Sequence, residues 1–77
     1  MAEYYVTFGD GDVSSAPDQV AVPVGRTIDA AGDAGAVTIA RQLVEDGKHG
    51  SNTWVALYDA EGRRYWALPT SQIATKA

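Results

Sequence analysis

"WVALYDAEGRRYWALP", residues 54–69, decides the fold. Thr53 to Asp59 and Arg63 to Leu68 are rich in aromatic and apolar residues, and the "DAEG" between them predicts a β-hairpin. Pro69 ends the second run, since proline has no amide proton to give to a ladder. A type I turn with Gly62 in the left-handed bulge position sets Asp59 opposite Arg63. The pairs then continue as Tyr58 with Arg64, Leu57 with Tyr65 and Ala56 with Trp66. Directly opposed residues share a face. One face is thus expected to carry Trp54, Ala56, Tyr58, Arg64, Trp66 and Leu68, and the other Val55, Leu57, Asp59, Arg63, Tyr65 and Ala67. Neither is polar, yet one helix hides only one face of a sheet. The second face needs its own cover: the loop Gly9 to Gln19, the segment around Ile73, a second copy of the chain, or another protein.

Outward from the hairpin, "EYYVTFG" (3–9) alternates Tyr4, Val6 and Phe8 against Glu3, Tyr5 and Thr7, the period of a half-buried strand. "GDGDVSSAPD" (9–18) reads as loop, because Gly, Asp, Ser and Pro favour turns for separate stereochemical reasons. "QVAVPVG" (19–25) alternates again and is expected to form an edge strand, as Pro23 requires, with Val20, Val22 and Val24 facing the core of Val6. The helical stripe runs between Thr27 and Asp46 through Ile28, Ala31, Ala36, Ile39, Ala40, Leu43 and Val44. Gly32 and Gly35 weaken its first half, which places the start at Asp33 as N-cap, and Gly47 suits a left-handed C-cap. The chain around Arg26 to Asp29 is ambiguous between this stripe and a further strand. Thr70 is expected to cap a short turn in "TSQI" with Ile73 folded back on the core, and Ala74 to Ala77 to fray. The sum is one domain over residues 1–77, an α+β two-layer fold of about four antiparallel strands with one helix on one face, in the order β-β-α-β-β.

At 77 residues a large internal substrate pocket is not expected. The 45% hydrophobic content separates the chain from disordered sequences. There is no cysteine, which excludes thiolate chemistry and disulfide staples. The N-terminus lacks the pattern of a secretory signal and no run approaches a membrane span, so a cytoplasmic protein without membrane contact is expected. A net charge of −4 disfavours general attraction to phosphate backbones.

Four features invite chemistry, and each has a plainer reading. Asp10, Asp12 and Ser14 alternate like the first ligands of a calcium loop, but Ser15 and Ala21 stand where such a loop needs Gly and Glu. Gly32 and Gly35 have the spacing of a backbone clamp on nucleotides, with Asp33 between them where a phosphate would lie. The lone His49 sits in a loop without an orienting partner or nucleophile. Glu45 and Asp46 oppose the dipole at the helix end and read as a solvated face. No metal, cofactor or catalytic residue is therefore assigned. The hairpin is the informative feature: Trp54, Tyr58, Arg63, Arg64, Tyr65 and Trp66 have the composition of an interface hot spot. The expectation is a small non-enzymatic protein-binding, regulatory or inhibitory module, with another protein or a second copy of itself as partner. The alternative is weak nucleic-acid binding by the same hairpin, where Asp59 and Glu61 oppose the field of the two arginines.

Overall fold

The computed structural model describes residues 2–73. Strands β1 (Ala2–Gly9), β2 (Arg26–Ala30), β3 (Trp54–Tyr58) and β4 (Arg64–Pro69) form one antiparallel sheet in the order β2-β1-β3-β4. Helix α1 (Asp33–Glu45) lies on one face. The expected α+β fold and its β-β-α-β-β order are present. The fraying expected for Ala74 to Ala77 lies outside the described residues.

The alternation in β1 divides the core. Tyr4, Val6 and Phe8 join Val55, Leu57, Ala30 and the helix residues Ala36, Ala40 and Val44 beneath α1. Tyr5 points the other way and joins Trp54, Ala56, Tyr58 and Ala16. This second cluster is covered by the chain itself, through Val13, Ala16, Val20 and Val24 of the long β1–β2 connection.

That connection corrects the reading of "QVAVPVG". Strand β2 is Arg26–Ala30, and the segment before it makes one isolated bridge, Gln19 to Arg63. Gly25 has a φ of +58° and lies against the Val6 carbonyl, turning the chain just before β2 begins, and the Val22–Pro23 peptide is cis. Val20 and Val24 consequently cover the face opposite Val6, and Val22 is exposed. Small apolar residues at alternate positions suit a covering loop as well as a strand. The strand period was present in both segments, and all five residues of β2 pair with β1.

Two corrections concern caps. Helix α1 starts one residue earlier than an Asp33 cap implies: Gly32 is the N-cap and Asp33 the first helical residue, where its charge favours the helix dipole. The Tyr4 hydroxyl donates to Asp33 Oδ1 at 2.9 Å, fixing that end of the helix to β1. Gly47, at φ +79°, ends the helix as expected. The Gly47 amide donates to the Val44 carbonyl and the Lys48 amide to the Leu43 carbonyl, the paired bonds of a Schellman motif. Thr70 does not cap the turn Thr70–Gln72; its hydroxyl donates to the Asn52 carbonyl and its amide to the Thr53 carbonyl. Ile73 does fold back into the core under α1.

Candidate functional site

The "DAEG" turn closes as expected. The Gly62 amide donates to the Asp59 carbonyl, the Asp59 amide to the Arg63 carbonyl, and Gly62 has a φ of +84°. Asp59 Oδ1 accepts from the amides of Glu61 and Arg63, both at 2.9 Å, so one carboxylate holds the turn. Tyr58 then pairs with Arg64 as predicted.

Beyond that pair the register departs from expectation. A bulge inserts Tyr65, after which Leu57 pairs with Trp66, Ala56 with Ala67, Val55 with Leu68 and Trp54 with Pro69. A one-residue shift moves every later side chain to the other face. The two tryptophans therefore lie on opposite faces. Trp66 and Leu68 join Tyr65 on the helix side, whereas Trp54 and Ala67 belong to the side covered by the long connection.

The six residues predicted to meet a partner are accordingly divided. Trp54 and Tyr58 are buried, at 7% and 0% exposure, and their contacts are internal. Trp54 Nε1 donates to the Asp10 carbonyl at 3.1 Å, and its ring lies over Gly9, where a Cβ would overlap it. The Tyr58 hydroxyl donates to the Pro17 carbonyl at 2.7 Å; burial raises its pKa, partly offset by the Thr7 hydroxyl and the Arg64 charge. Arg63 is exposed and paired with Glu61. Arg64 is half-buried, donating from Nη1 to the Ala16 carbonyl at 2.7 Å and pairing through Nη2 with Asp18 at 2.9 Å. Tyr65 is half-buried, its ring tilted against Tyr4 with centroids 5.8 Å apart and its hydroxyl 3.4 Å from the Asp33 carbonyl. Burial raises the Tyr65 pKa, and the charge of Asp33 adds to the shift. Trp66 is half-buried at the rim of the helix-side core.

What the fold brings together is the outer edge of β4. An open cleft of about 330 Å³ lies there, lined by Val13, Ser14, Arg64, Tyr65, Trp66 and Ala67. The edge is occupied at its start by the chain itself: Val20 donates its amide to the Gly62 carbonyl at 2.8 Å, and Arg64 donates to the Asp18 carbonyl at 2.9 Å. From Tyr65 to Pro69 β4 has no outer strand partner among the described residues. Sequence reasoning did not place Ala67, Leu68 and Pro69 on a sheet edge because the strand order β2-β1-β3-β4 is set by the pairing of β1 with β3, which the hairpin pattern alone does not specify. Pro69, whose missing amide donor confines it to an edge strand or a strand end, was the available signal. A second cleft, of about 280 Å³, is acidic, with Glu3, Asp33, Asp59 and Glu61 around Tyr4.

The chemical features singled out elsewhere are engaged locally. Asp12 Oδ1 accepts the Ser14 amide and caps the turn Val13–Ser15, and Asp10 Oδ1 accepts from Asn52 Nδ2. His49 packs its ring 6.4 Å from that of Phe8. Among the described residues no group of three or more His, Asp or Glu side chains is placed to hold a metal ion, and no helix is long and apolar enough to cross a membrane. Comparison with protein-family models, with curated proteins and with solved structures returns no match.

Proposed function

We propose that this chain is a small non-enzymatic contact module, regulatory or inhibitory in role, whose working surface is the outer edge of β4. The partner is another protein or a second copy of the chain, and a cytoplasmic setting belongs to the same reading. The observation that carries it is the union of an unpaired strand edge with half-exposed Tyr65, Trp66 and Leu68 beside an open cleft. Unpaired edge amides are a template for strand pairing, and aromatic side chains supply most of the affinity in protein interfaces.

Nucleic-acid binding has less to rest on. Arg63 and Arg64 are each paired with a carboxylate, and the acidic cleft adjoins the hairpin turn. A phosphate would have to compete with Glu61 and Asp18, and any such binding would weaken steeply with salt.

The test compares tagged wild type with Trp66→Lys as baits in host lysate at low and high salt, after circular dichroism has shown both to be folded. The wild type is expected to retain a protein, or its own untagged copy, that the variant loses at either salt concentration. Equal retention by both baits would remove β4 as the working surface.

A further inference from the structure

We infer that residues 12–24 are a releasable strap: they open as one unit over a sheet that stays folded, and when closed they withhold the start of the β4 edge from a partner. The inhibitory half of this inference rests on the contact-module reading above; the opening does not.

The strap is fixed at its ends and latched at one place between them. The chain is fastened up to Gly11, whose carbonyl accepts from Thr53 Oγ1 at 2.8 Å, and again at Gly25, which lies against the Val6 carbonyl. Both glycines hold positive φ, +91° and +58°, so the chain turns sharply where it leaves the sheet and where it returns. Among the described residues, every hydrogen bond from the strap to the sheet and its hairpin turn falls on residues 16–20. The Val20 amide donates to the Gly62 carbonyl and the Arg64 amide to the Asp18 carbonyl. Gln19 Nε2 donates to the Glu61 carbonyl at 3.3 Å, while the Tyr58 hydroxyl and Arg64 Nη1 reach the carbonyls of Pro17 and Ala16. The apolar hold is small. Ala16 is the one buried residue of the strap, Val13, Val20 and Val24 are half-buried, and Val22 is exposed. A segment with few buried apolar groups and few backbone bonds opens before the core does, and bonds gathered at one place break together.

The latch lies on the proposed working edge. Gln19 faces Arg63 as a paired strand would, so residues 18–20 take the first positions of the outer β4 edge, directly before the stretch from Tyr65 to Pro69 that has no outer partner. The cleft along that stretch is the gap between strap and strand, walled by Val13 and Ser14 on one side and residues 64–67 on the other. Opening therefore returns the Gly62 carbonyl and the Arg64 amide to the edge and uncovers Tyr5, Ala56 and Tyr58. A partner strand gains the full edge only in the open state, and its affinity is reduced by the fraction of chains that are closed.

Amide exchange of the wild type tests the opening. The amides of Val20 and Arg64 should exchange at least about tenfold faster than those of Val55 and Leu57 in the central strand, as a sub-global opening permits. Equal rates would make strap and sheet one unit and overturn the inference. A lock then tests inhibition. Gln19 and Arg63 form a non-hydrogen-bonded pair, since the flanking bonds join Val20 to Gly62 and Arg64 to Asp18, and such a pair suits the span of a disulfide. The chain has no cysteine of its own, so Gln19→Cys with Arg63→Cys gives a single cross-link. Oxidation should slow exchange at Val20 and Arg64 about tenfold or more relative to the reduced form. As baits in host lysate, the reduced form should hold what the wild type holds through Trp66, and the oxidised form about tenfold less. Equal retention by the two forms overturns the inhibitory role. A wild type that opens in the exchange experiment but retains nothing through Trp66 overturns the contact module, and inhibition with it, while the opening stands.

Discussion

At the scale of single residues, the closest packing constraint is Gly9 beneath Trp54. A Cβ at Gly9 would occupy the space of the indole six-membered ring, and that ring is held by its bond to Asp10. Gly9→Ala is expected to destabilise by about 2 kcal/mol, as overpacking a filled site does. Urea denaturation followed by tryptophan emission checks this, and an unchanged midpoint would mean the indole swings clear. The tyrosines supply a pH dependence. Burial raises the pKa of Tyr65 and Tyr58 above the ordinary value near 10, so the folded state holds these protons more tightly than the unfolded chain. Their contribution to stability is complete below about pH 10 and is lost as pH rises past it towards the folded-state pKa. The urea midpoint of the wild type should fall between about pH 8 and about pH 11, a range that brackets the free tyrosine pKa of about 10. Tyr65→Phe should show a smaller fall, and an equal fall in both would assign the alkaline loss to other groups.

At the scale of elements, helix α1 offers two glycines with opposite expectations. Gly47 holds a φ of +79° in the Schellman motif, so Gly47→Ala should destabilise by about 1 kcal/mol. Gly35 lies in the first turn without positive φ, and a Cβ there would meet Ala30 Cβ at an ordinary 3.6 Å. Gly35→Ala should stabilise by about 0.5–1 kcal/mol. Thermal denaturation of the two variants should move in opposite directions, and a shared direction would show that backbone preference does not govern the helix ends. These elements also indicate how much was legible in the sequence. The helix end, the turn chemistry of "DAEG" and the first strand follow from local stereochemistry, which is why Gly47, Gly62 and the Tyr4–Val6–Phe8 face stand where their residue types require. The bulge at Tyr65 and the choice between 19–25 and 26–30 for β2 depend on tertiary contacts. Both segments alternate, and only the bridge of Gln19 to Arg63 and the pairing of β2 with β1 decide between them. The site was legible as a hairpin rich in aromatics, but its division into buried and exposed halves was not, because one extra residue in β4 exchanges the faces.

At the scale of the whole molecule, the two faces of the sheet are covered in different ways. One is packed by a helix of 13 residues; the other is covered by a connection whose regular structure is a three-residue turn. The second cover is held mainly by side chains reaching from the sheet: Tyr58 to Pro17, Trp54 to Asp10 and Arg64 to Ala16. Of these Arg64 is the most accessible, and its ion pair with the exposed Asp18 contributes little beside the charge-assisted bond to the Ala16 carbonyl. Arg64 thus acts first on the chain's own cover, and a change there reads stability before it reads association. Arg64→Ala is expected to destabilise by about 2 kcal/mol, the size of one charge-assisted hydrogen bond with the packing of its stem. The loss should be local, since the helix-side core shares no side chain with this anchor. Amide exchange should accelerate for residues 13–20 while Val55 and Leu57 keep their protection, and binding of an apolar dye should report the uncovered Tyr58 and Ala56. Acceleration spread evenly over β3 and α1 would instead make the loop and the sheet one cooperative unit.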